Sequence, residues 1–399
     1  MIPTSSGTDL PGLPGRTDVA IDLVSSGGPG ATVIKPPNGD GDLAAERIVS
    51  EIQRLHGVVL PVCVGDKDME PPATRHVIAL GSMADNPCIE SLYVRWQTLV
   101  DRWYPGTGGY VLQFVPSPRI LGNHTFIVGG SDGSGISDAT EQFIEVIAAH
   151  PSGRIPWLLQ AKLGDEHVPI PGDRMDFLGT AASPLAVPEN QLPDQPYCSG
   201  YSEGTPRNYL LRVGMYGPHA DNFHFCRSSQ LGLRYLYSAD ETDAHHFRAS
   251  LLEEINAGVL DQLYHYKSLR LIQLWPLLGD HPIFSHEERD RIDRALYRYL
   301  AEESGFASIE PIVSQTTDAG LFNRHYACDA LNLWAGADWL WRRSHDAAWL
   351  DYQTVADAYF RSQQGTDVPL TGLTEGYGSY LEVYLEWFQW TDHDRIGEN

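Results

Sequence analysis

A short polar motif precedes one of the most apolar stretches of the chain. It consists of Asn323, Arg324, His325 and Tyr326, and the stretch that follows reads ACDALNLWAGADWLWRR. An amide, a guanidinium and an imidazole side by side can bind a carboxylate and neutralise its charge. Burying polar side chains at the start of an apolar helix costs free energy unless protein groups or a ligand form hydrogen bonds with them. In the alternative, structural interpretation, Asn323 and Asp318 cap the helix and the two ring residues are satisfied members of the core.

A tyrosine flanked by glycines is the second feature suited to chemistry. Tyr377 stands at the centre of the segment TEGYGSY, 54 residues after Asn323, and Glu375 and Tyr380 belong to the same segment. Glycines on both sides leave space around the phenol, as a ligand-contacting loop requires. The spacing corresponds to one intervening helical hairpin and predicts that Tyr377 returns to the same rim of a helical domain. The alternative is the start of a helix with two aromatic core residues.

Short β-branched segments alternate with helical patterns between residues 19 and 150. The predicted buried strands lie at 31–36, 58–64, 76–81, 109–115 and 124–130. After the first of them a helix is predicted, with Gly57 where a C-terminal cap belongs. Its apolar residues near helical spacing are Leu43, Ile48, Ile52 and Leu55. The pattern predicts a small α/β domain over 19–150, followed by a Pro- and Gly-rich connector over 151–215.

A glycine-rich stretch, Gly129 to Gly135, lies between the last of these strands and a second predicted helix. A phosphate-binding loop occupies that position in nucleotide-binding folds. The register differs from both nucleotide motifs, because Asp138 stands where a third glycine would fall and no Lys-Ser/Thr pair follows. The sequence therefore favours a tight turn that leads into a helix.

From residue 216 to 399 the pattern is helical. Ser285 and Glu288 have the spacing of a capping box at the start of a helix near 286. The segment after Tyr326 is apolar on almost every face, which is typical of a helix buried among others. Amphipathic and fully buried helices in alternation predict a double layer, an α/α toroid. The fold class is thus α+β and multidomain. A complete toroid needs about twelve helices and the pattern gives about seven or eight, so either the toroid is incomplete or the chain stops early.

The composition limits the partners. The 399 residues contain 28 basic and 52 acidic side chains, a net charge of −24. This balance disfavours nucleic acids and anionic membranes as partners bound through a basic patch. No apolar run approaches the length of about 18 residues that a membrane span needs. Neither the five cysteines nor the histidines show a metal-binding spacing, so no metal or other cofactor is expected.

The two motifs and the aromatic helices around them resemble heparinase II/III-type and alginate-type polysaccharide lyases with an α/α toroid. Residues 19–150, especially GNHTFIVGGSDGSGISDATEQFIEVI, resemble the non-catalytic α/β domain that precedes the catalytic domain of some glycosidases. The resemblance implies a polysaccharide lyase, with an acidic polysaccharide as its partner, that is secreted or periplasmic. The first fifteen residues lack the features of a signal peptide, so either the protein stays inside the cell or the chain begins after its signal.

The resemblance also implies roles for individual residues. Asn323 and His325 correspond to the residues that neutralise the uronate carboxylate, and Tyr377 corresponds to the general base and acid. The residues expected to contact the substrate are Arg324, Tyr326, Trp334, Glu375 and Tyr380. Neutralising the carboxylate stabilises the enolate-like transition state that forms when the C5 proton leaves. The product of this β-elimination carries a C4–C5 double bond.

Two other functions remain open. An α/α-toroid glycoside hydrolase needs two carboxylates roughly 5 to 9.5 Å apart. The available candidates are Asp318, Asp329, Glu375 and Glu382. A carbohydrate-binding protein without catalysis would use the faces of Trp and Tyr side chains alone. The sequence does not indicate the oligomeric state.

Overall fold

A computed structural model describes most of the two predicted regions. The described residues are 19–66, 76–117, 123–165, 227–256, 265–300, 309–310, 313, 324–344, 346–361, 383, 386–388 and 390–391. The N-terminal region is α/β with a mixed six-stranded sheet, and the C-terminal region is mainly helical. This confirms the coarse fold class predicted from the sequence.

The described part of the N-terminal region contains ten strands. They are β1 (Ala20–Asp22), β2 (Val24–Ser25), β3 (Gly28–Pro29), β4 (Ala31–Lys35), β5 (Val62–Val64), β6 (His76–Gly81), β7 (Tyr110–Val115), β8 (Thr125–Gly130), β9 (Arg154–Pro156) and β10 (Leu159–Lys162). The six-stranded sheet has the order β10-β7-β8-β6-β4-β5. Strands β8, β6, β4 and β5 run parallel, whereas β7 and β10 are antiparallel to their neighbours. β10 therefore extends the sheet into the stretch predicted as a connector.

Among the residues that the structure describes, three helices accompany the sheet: α1 (Asp42–His56), α2 (Pro87–Tyr93) and α3 (Gly133–Ala149). Gly57 ends α1 in the left-handed conformation (φ 70°), as predicted. Leu43, one of the four apolar residues near helical spacing, does not belong to the buried face, since its side chain is 66% exposed. Leu43 is nine residues from the buried Ile52, which places the two on opposite sides of a helix with 3.6 residues per turn. Ala44 and Ala45 complete the buried stripe instead.

The predicted strand at 58–64 is also only partly correct. Its observed length is three residues, and it forms an edge of the sheet. Val62 and Val64 are exposed, so this is not the buried strand that the run of valines indicated. An edge strand has a neighbour on one side alone, and no described helix covers these two side chains.

The side chains on the two faces of the central sheet belong to two different hydrophobic cores. Side chains alternate along a strand, and Val33 and Ile78 pack with α1 and α3 on one face. Ile34 and Val77 point the other way and join the core that contains the C-terminal helices. The sheet therefore has α1 and α3 on one face and the helical region against the other.

The helical region contains six longer helices among the described residues. They are α4 (Arg227–Ser238), α5 (Glu241–Asn256), α6 (His265–Leu278), α7 (His286–Arg298), α8 (Arg324–Ser344) and α9 (Ala348–Arg361). Helix α4 packs against α5, α8 packs against α9, and α6 packs against both α4 and α8. The capping box of Ser285 and Glu288 is present at the start of α7, as predicted. Helix α8 is buried between α6 and α9, which confirms the prediction from its apolar sequence. Within the described part of the chain, no helix is both long and apolar enough to span a bilayer.

Two stacked histidines lie at the amino ends of β6 and β8. The rings of His76 and His124 are 5.2 Å apart and nearly parallel. Backbone N–H groups donate to both: His124 N donates to His76 Nδ1 (3.0 Å), and Ser117 N donates to His124 Nδ1 (3.1 Å). Burial lowers the pKa of His76 and lowers that of His124 from 6.5 to about 3, so both imidazoles are neutral at pH 7.

Acid should therefore destabilise the protein through His124. Its pKa is lower in the folded state than in the unfolded state, so unfolded chains bind a proton first as the pH falls below about 6.5. The free energy of unfolding should fall by up to about 1.4 kcal/mol per pH unit between pH 6.5 and 3. His124→Asn retains an acceptor for Ser117 N and cannot titrate. Urea unfolding at pH 7 and pH 4 should show a clearly smaller loss for this variant, and an equal loss would contradict the prediction.

Candidate functional site

The structure describes part of the predicted site. Arg324 and His325 form the start of α8, and their side chains lie outside the described residues. Tyr326 is partly buried against the core between α8 and α9. Trp334, two turns further along α8, lines a cavity. Asn323, Glu375, Tyr377 and Tyr380 lie outside the described residues, as do Asp318 and Glu382.

The cavity beside Trp334 lies where the α/β region meets α6 and α8. Its volume is about 40 Å³, which is room for a few water-sized groups. Trp334, Asp338 and Arg342 follow at intervals of four residues and so line the same side of α8. Asp338 and Arg342 form an ion pair, and Arg342 Nη1 donates to the carbonyl oxygen of Ser117 (2.7 Å). The arginine thereby joins the helix to the α/β region.

Two tryptophans at the cavity are held in place by hydrogen bonds. Trp390 Nε1 donates to the carbonyl oxygen of Val94 (3.1 Å), and Arg95 Nη2 donates to the carbonyl oxygen of Trp390 (3.1 Å). The rings of Trp334 and Trp390 are 5.7 Å apart. Trp334 also hydrogen-bonds to Asp357, a carboxyl whose pKa burial raises. These contacts fix both indoles, and Trp390, which is 4% exposed, belongs to the packing between the α/β region and the helices.

Two glutamine amides on the cavity wall carry unsatisfied atoms. Gln97 Oε1 is buried and has no hydrogen-bond donor among the described residues. Gln273 Nε2 is buried and has no acceptor among them, while its Oε1 accepts from Arg270 Nη1 (2.8 Å). A buried polar atom without a partner costs roughly 1–3 kcal/mol. An unpaired acceptor and an unpaired donor in one cavity suit a hydroxyl group, which both donates and accepts.

A buried ion pair lies behind this wall. Arg270 and Glu386 are both buried and paired, and the guanidinium lies 4.2 Å from the centre of the Trp96 ring. Arg270 also donates to Gln273 Oε1. The ion pair holds Arg270 in place, so the oxygen of the Gln273 amide faces the arginine and its nitrogen faces away from it. The orientation of the unsatisfied Nε2 thus depends on this ion pair.

The usual ligand crevice of a parallel sheet is filled in this protein. In such folds ligands bind at the carboxyl ends of strands where the strand order reverses, which is here between β4 and β6. The side chain of Asn86 occupies that position. Its Nδ2 donates to the carbonyl oxygens of Ile34 (3.2 Å) and Leu80 (2.8 Å). The chain itself therefore satisfies the strand ends that a ligand would contact.

The glycine-rich stretch is a turn that leads into α3, as the sequence favoured. The carboxylate of Asp132 accepts from Gly135 N (2.8 Å), Ser134 Oγ (2.7 Å) and Gly108 N (3.1 Å). These contacts fill the positive end of the helix, where a phosphate would bind in a nucleotide site. A side chain at Gly135 would lie 2.1 Å from the carbonyl oxygen of Gly109, so this glycine serves close packing.

Sequence reasoning found one residue of this cavity, Trp334, and missed the glutamines, Arg95 and Trp390. Within the described ranges, no three His, Cys, Asp or Glu side chains come together in a way that could hold a metal. No protein-family model matches the chain, and no curated protein matches its sequence. The resemblance to polysaccharide lyases therefore stays a prediction.

Proposed function

We propose that this protein is a polysaccharide lyase that cleaves a uronate-containing polysaccharide by β-elimination. The observation that supports it most is the position of the polar motif at the start of α8. Arg324 and His325 belong to the first turn of a helix that is otherwise buried. The first turn of a helix has unpaired N–H groups and a partial positive charge, which add to the charge of the arginine. A substrate carboxylate at this end would be bound and neutralised.

In this proposal three residues share the chemistry. Asn323 and His325 hold the carboxylate at C5, which stabilises the enolate-like transition state. Tyr377 removes the C5 proton and then returns a proton to the oxygen that leaves C4. Arg324, Tyr326, Glu375 and Tyr380 surround the sugar. The helices belong to an α/α toroid, for which the hairpins α4–α5 and α8–α9 are the supporting observation.

A second candidate is a carbohydrate-binding protein without catalysis. Trp334 supports it, since a partly buried indole can contact a sugar and this requires no reaction; the cavity of about 40 Å³ beside it is too small to hold a sugar ring. The hydrolase alternative has less support. Asp329, the candidate carboxylate that lies among the described residues, is 1% exposed. A catalytic acid must reach the bond that it cleaves.

The experiment is an activity survey with several soluble polyuronates and one neutral polysaccharide as the control. A lyase should raise the near-ultraviolet absorbance with at least one polyuronate, because each cleavage creates a conjugated C4–C5 double bond. New reducing ends should appear in the same number. Reducing ends without the absorbance change would show a hydrolase instead, and binding without either product would show the non-catalytic function.

A further inference from the structure

We infer that a second cavity in this protein, lined by other residues than the cavity beside Trp334, binds a sugar that carries a carboxylate. The cavity has a volume of about 530 Å³ and lies between the β1–β9 pair and the loop that follows α6. Ligand pockets for small molecules usually measure about 300–1,000 Å³. The size therefore suits one or two sugar rings. The inference does not depend on the proposed lyase activity.

A fixed guanidinium forms one wall of this cavity. Arg289 Nη2 donates to the carbonyl oxygens of Asp280 (3.3 Å) and His281 (3.0 Å), which hold the side chain against the loop. Its Nε is buried and has no acceptor among the described residues. Arg289 lines the cavity, so its positive charge attracts a carboxylate that enters it, without a hydrogen bond from the buried Nε.

A second arginine at the cavity is held only loosely. Arg154 Nη1 lies 3.2 and 3.4 Å from the two carboxylate oxygens of Asp22, and both side chains are well exposed to solvent. Exposed pairs of this kind contribute little stability. Arg154 can therefore exchange Asp22 for a ligand carboxylate at small cost. With Arg289 it gives the cavity two cations in a chain whose net charge is −24.

The remaining walls suit a sugar ring with hydroxyl groups. Trp157 supplies an apolar surface and is held by a hydrogen bond from its Nε1 to the carbonyl oxygen of Leu277 (2.8 Å). His150 Nδ1 bonds to the carbonyl oxygen of Val146 (2.8 Å), so it carries the proton and leaves Nε2 to accept from a hydroxyl. Asp280 also lines the cavity, and its negative charge opposes a doubly charged phosphate. A uronate, with one negative charge and several hydroxyls, fits this set best.

The test is calorimetric titration of the whole chain with glucuronate, glucose, inorganic phosphate and AMP. Glucose has the ring without the carboxylate, and the last two ligands carry phosphate. Glucuronate is expected to bind with a dissociation constant in the millimolar range, and the other three are expected to bind at least about tenfold more weakly. Arg154→Gln should weaken glucuronate binding at least about tenfold. Asp22→Asn, which frees Arg154, should strengthen it about two- to fivefold.

Three results would overturn the inference. These are equal binding of glucose, tighter binding of phosphate or AMP, and glucuronate binding that Arg154→Gln leaves unchanged. Because the pair of Arg154 and Asp22 is exposed, both variants should fold, and circular dichroism checks this. Binding is measured without turnover, so an inactive protein that binds glucuronate contradicts the proposed function alone. Cleavage of polyuronates without glucuronate binding at this cavity contradicts the inference alone.

Discussion

Replacing Tyr377 with phenylalanine is expected to lower the rate of unsaturated-product formation by about a thousandfold. The substitution removes one hydroxyl and leaves the aromatic ring, so it deletes the proposed base with little change in shape. A positioned general base contributes on the order of 10²–10⁴-fold to a rate. The measurement is the initial rise of near-ultraviolet absorbance with the best polyuronate of the survey.

A matched control distinguishes the loss of a base from the loss of any tyrosine hydroxyl. Tyr352→Phe makes the same change in α9, at a half-buried ring that packs edge-on against Trp349. This variant should retain activity within about twofold of the unmodified protein. If Tyr377→Phe retains activity as well, Tyr377 is not the base. If both variants lose activity together with their circular dichroism signal, a Tyr377→His variant that retains the signal should show measurable turnover, because the imidazole supplies an alternative base.

Removal of the carboxylate of Asp293 is expected to lower the free energy of unfolding by roughly 3–5 kcal/mol. This fully buried group of α7 joins three helices. It accepts from Trp275 Nε1 of α6 (2.7 Å) and lies 2.5 Å from Arg343 Nη1 of α8. Asp293→Ala leaves an indole N–H and a guanidinium without their anionic partner inside the core.

The control for this prediction lies one turn earlier on the same helix. Asp290 is partly exposed, and its ion-pair contact among the described residues is a long one with His286 (3.7 Å), so Asp290→Ala should change the free energy of unfolding by less than about 0.5 kcal/mol. Urea denaturation of both variants measures the difference. Equal stabilities of the two variants would show that the buried carboxylate does not hold the three helices together.

Features that depend on a few neighbouring residues were predictable. Gly57 caps α1, Ser285 and Glu288 form the capping box of α7, and Asp132 ends a tight turn into α3. In each case the capping hydrogen bond joins groups within four residues of each other, so the residue types there determine it; the further bond from Gly108 N to Asp132 is long-range and was not predictable. The burial of α8 was predictable for a related reason, since a helix that is apolar on almost every face cannot lie on a surface.

Errors arose where a pattern was compatible with more than one environment. Leu43 lies within an apolar helical pattern, but α1 turns it away from the sheet. Val62 and Val64 have the composition of a buried strand and lie at an exposed edge. A run of apolar residues gains free energy when it is buried. Whether it is buried depends on whether a neighbouring helix or strand packs against it, which the run itself does not determine.

Some residues of the candidate sites could be identified from the sequence, and others are brought together only by the tertiary structure. The amino-acid sequence alone identified the polar motif that begins α8 and the tryptophan two turns along it, because these lie on one continuous segment. Gln97, Gln273 and Trp390 come from segments far apart in the chain, as do Arg154 and Arg289. Their proximity depends on how the sheet packs against α6 and α8, through contacts between residues more than a hundred positions apart. No local pattern encodes such contacts, so the tertiary structure alone placed these side chains in common cavities.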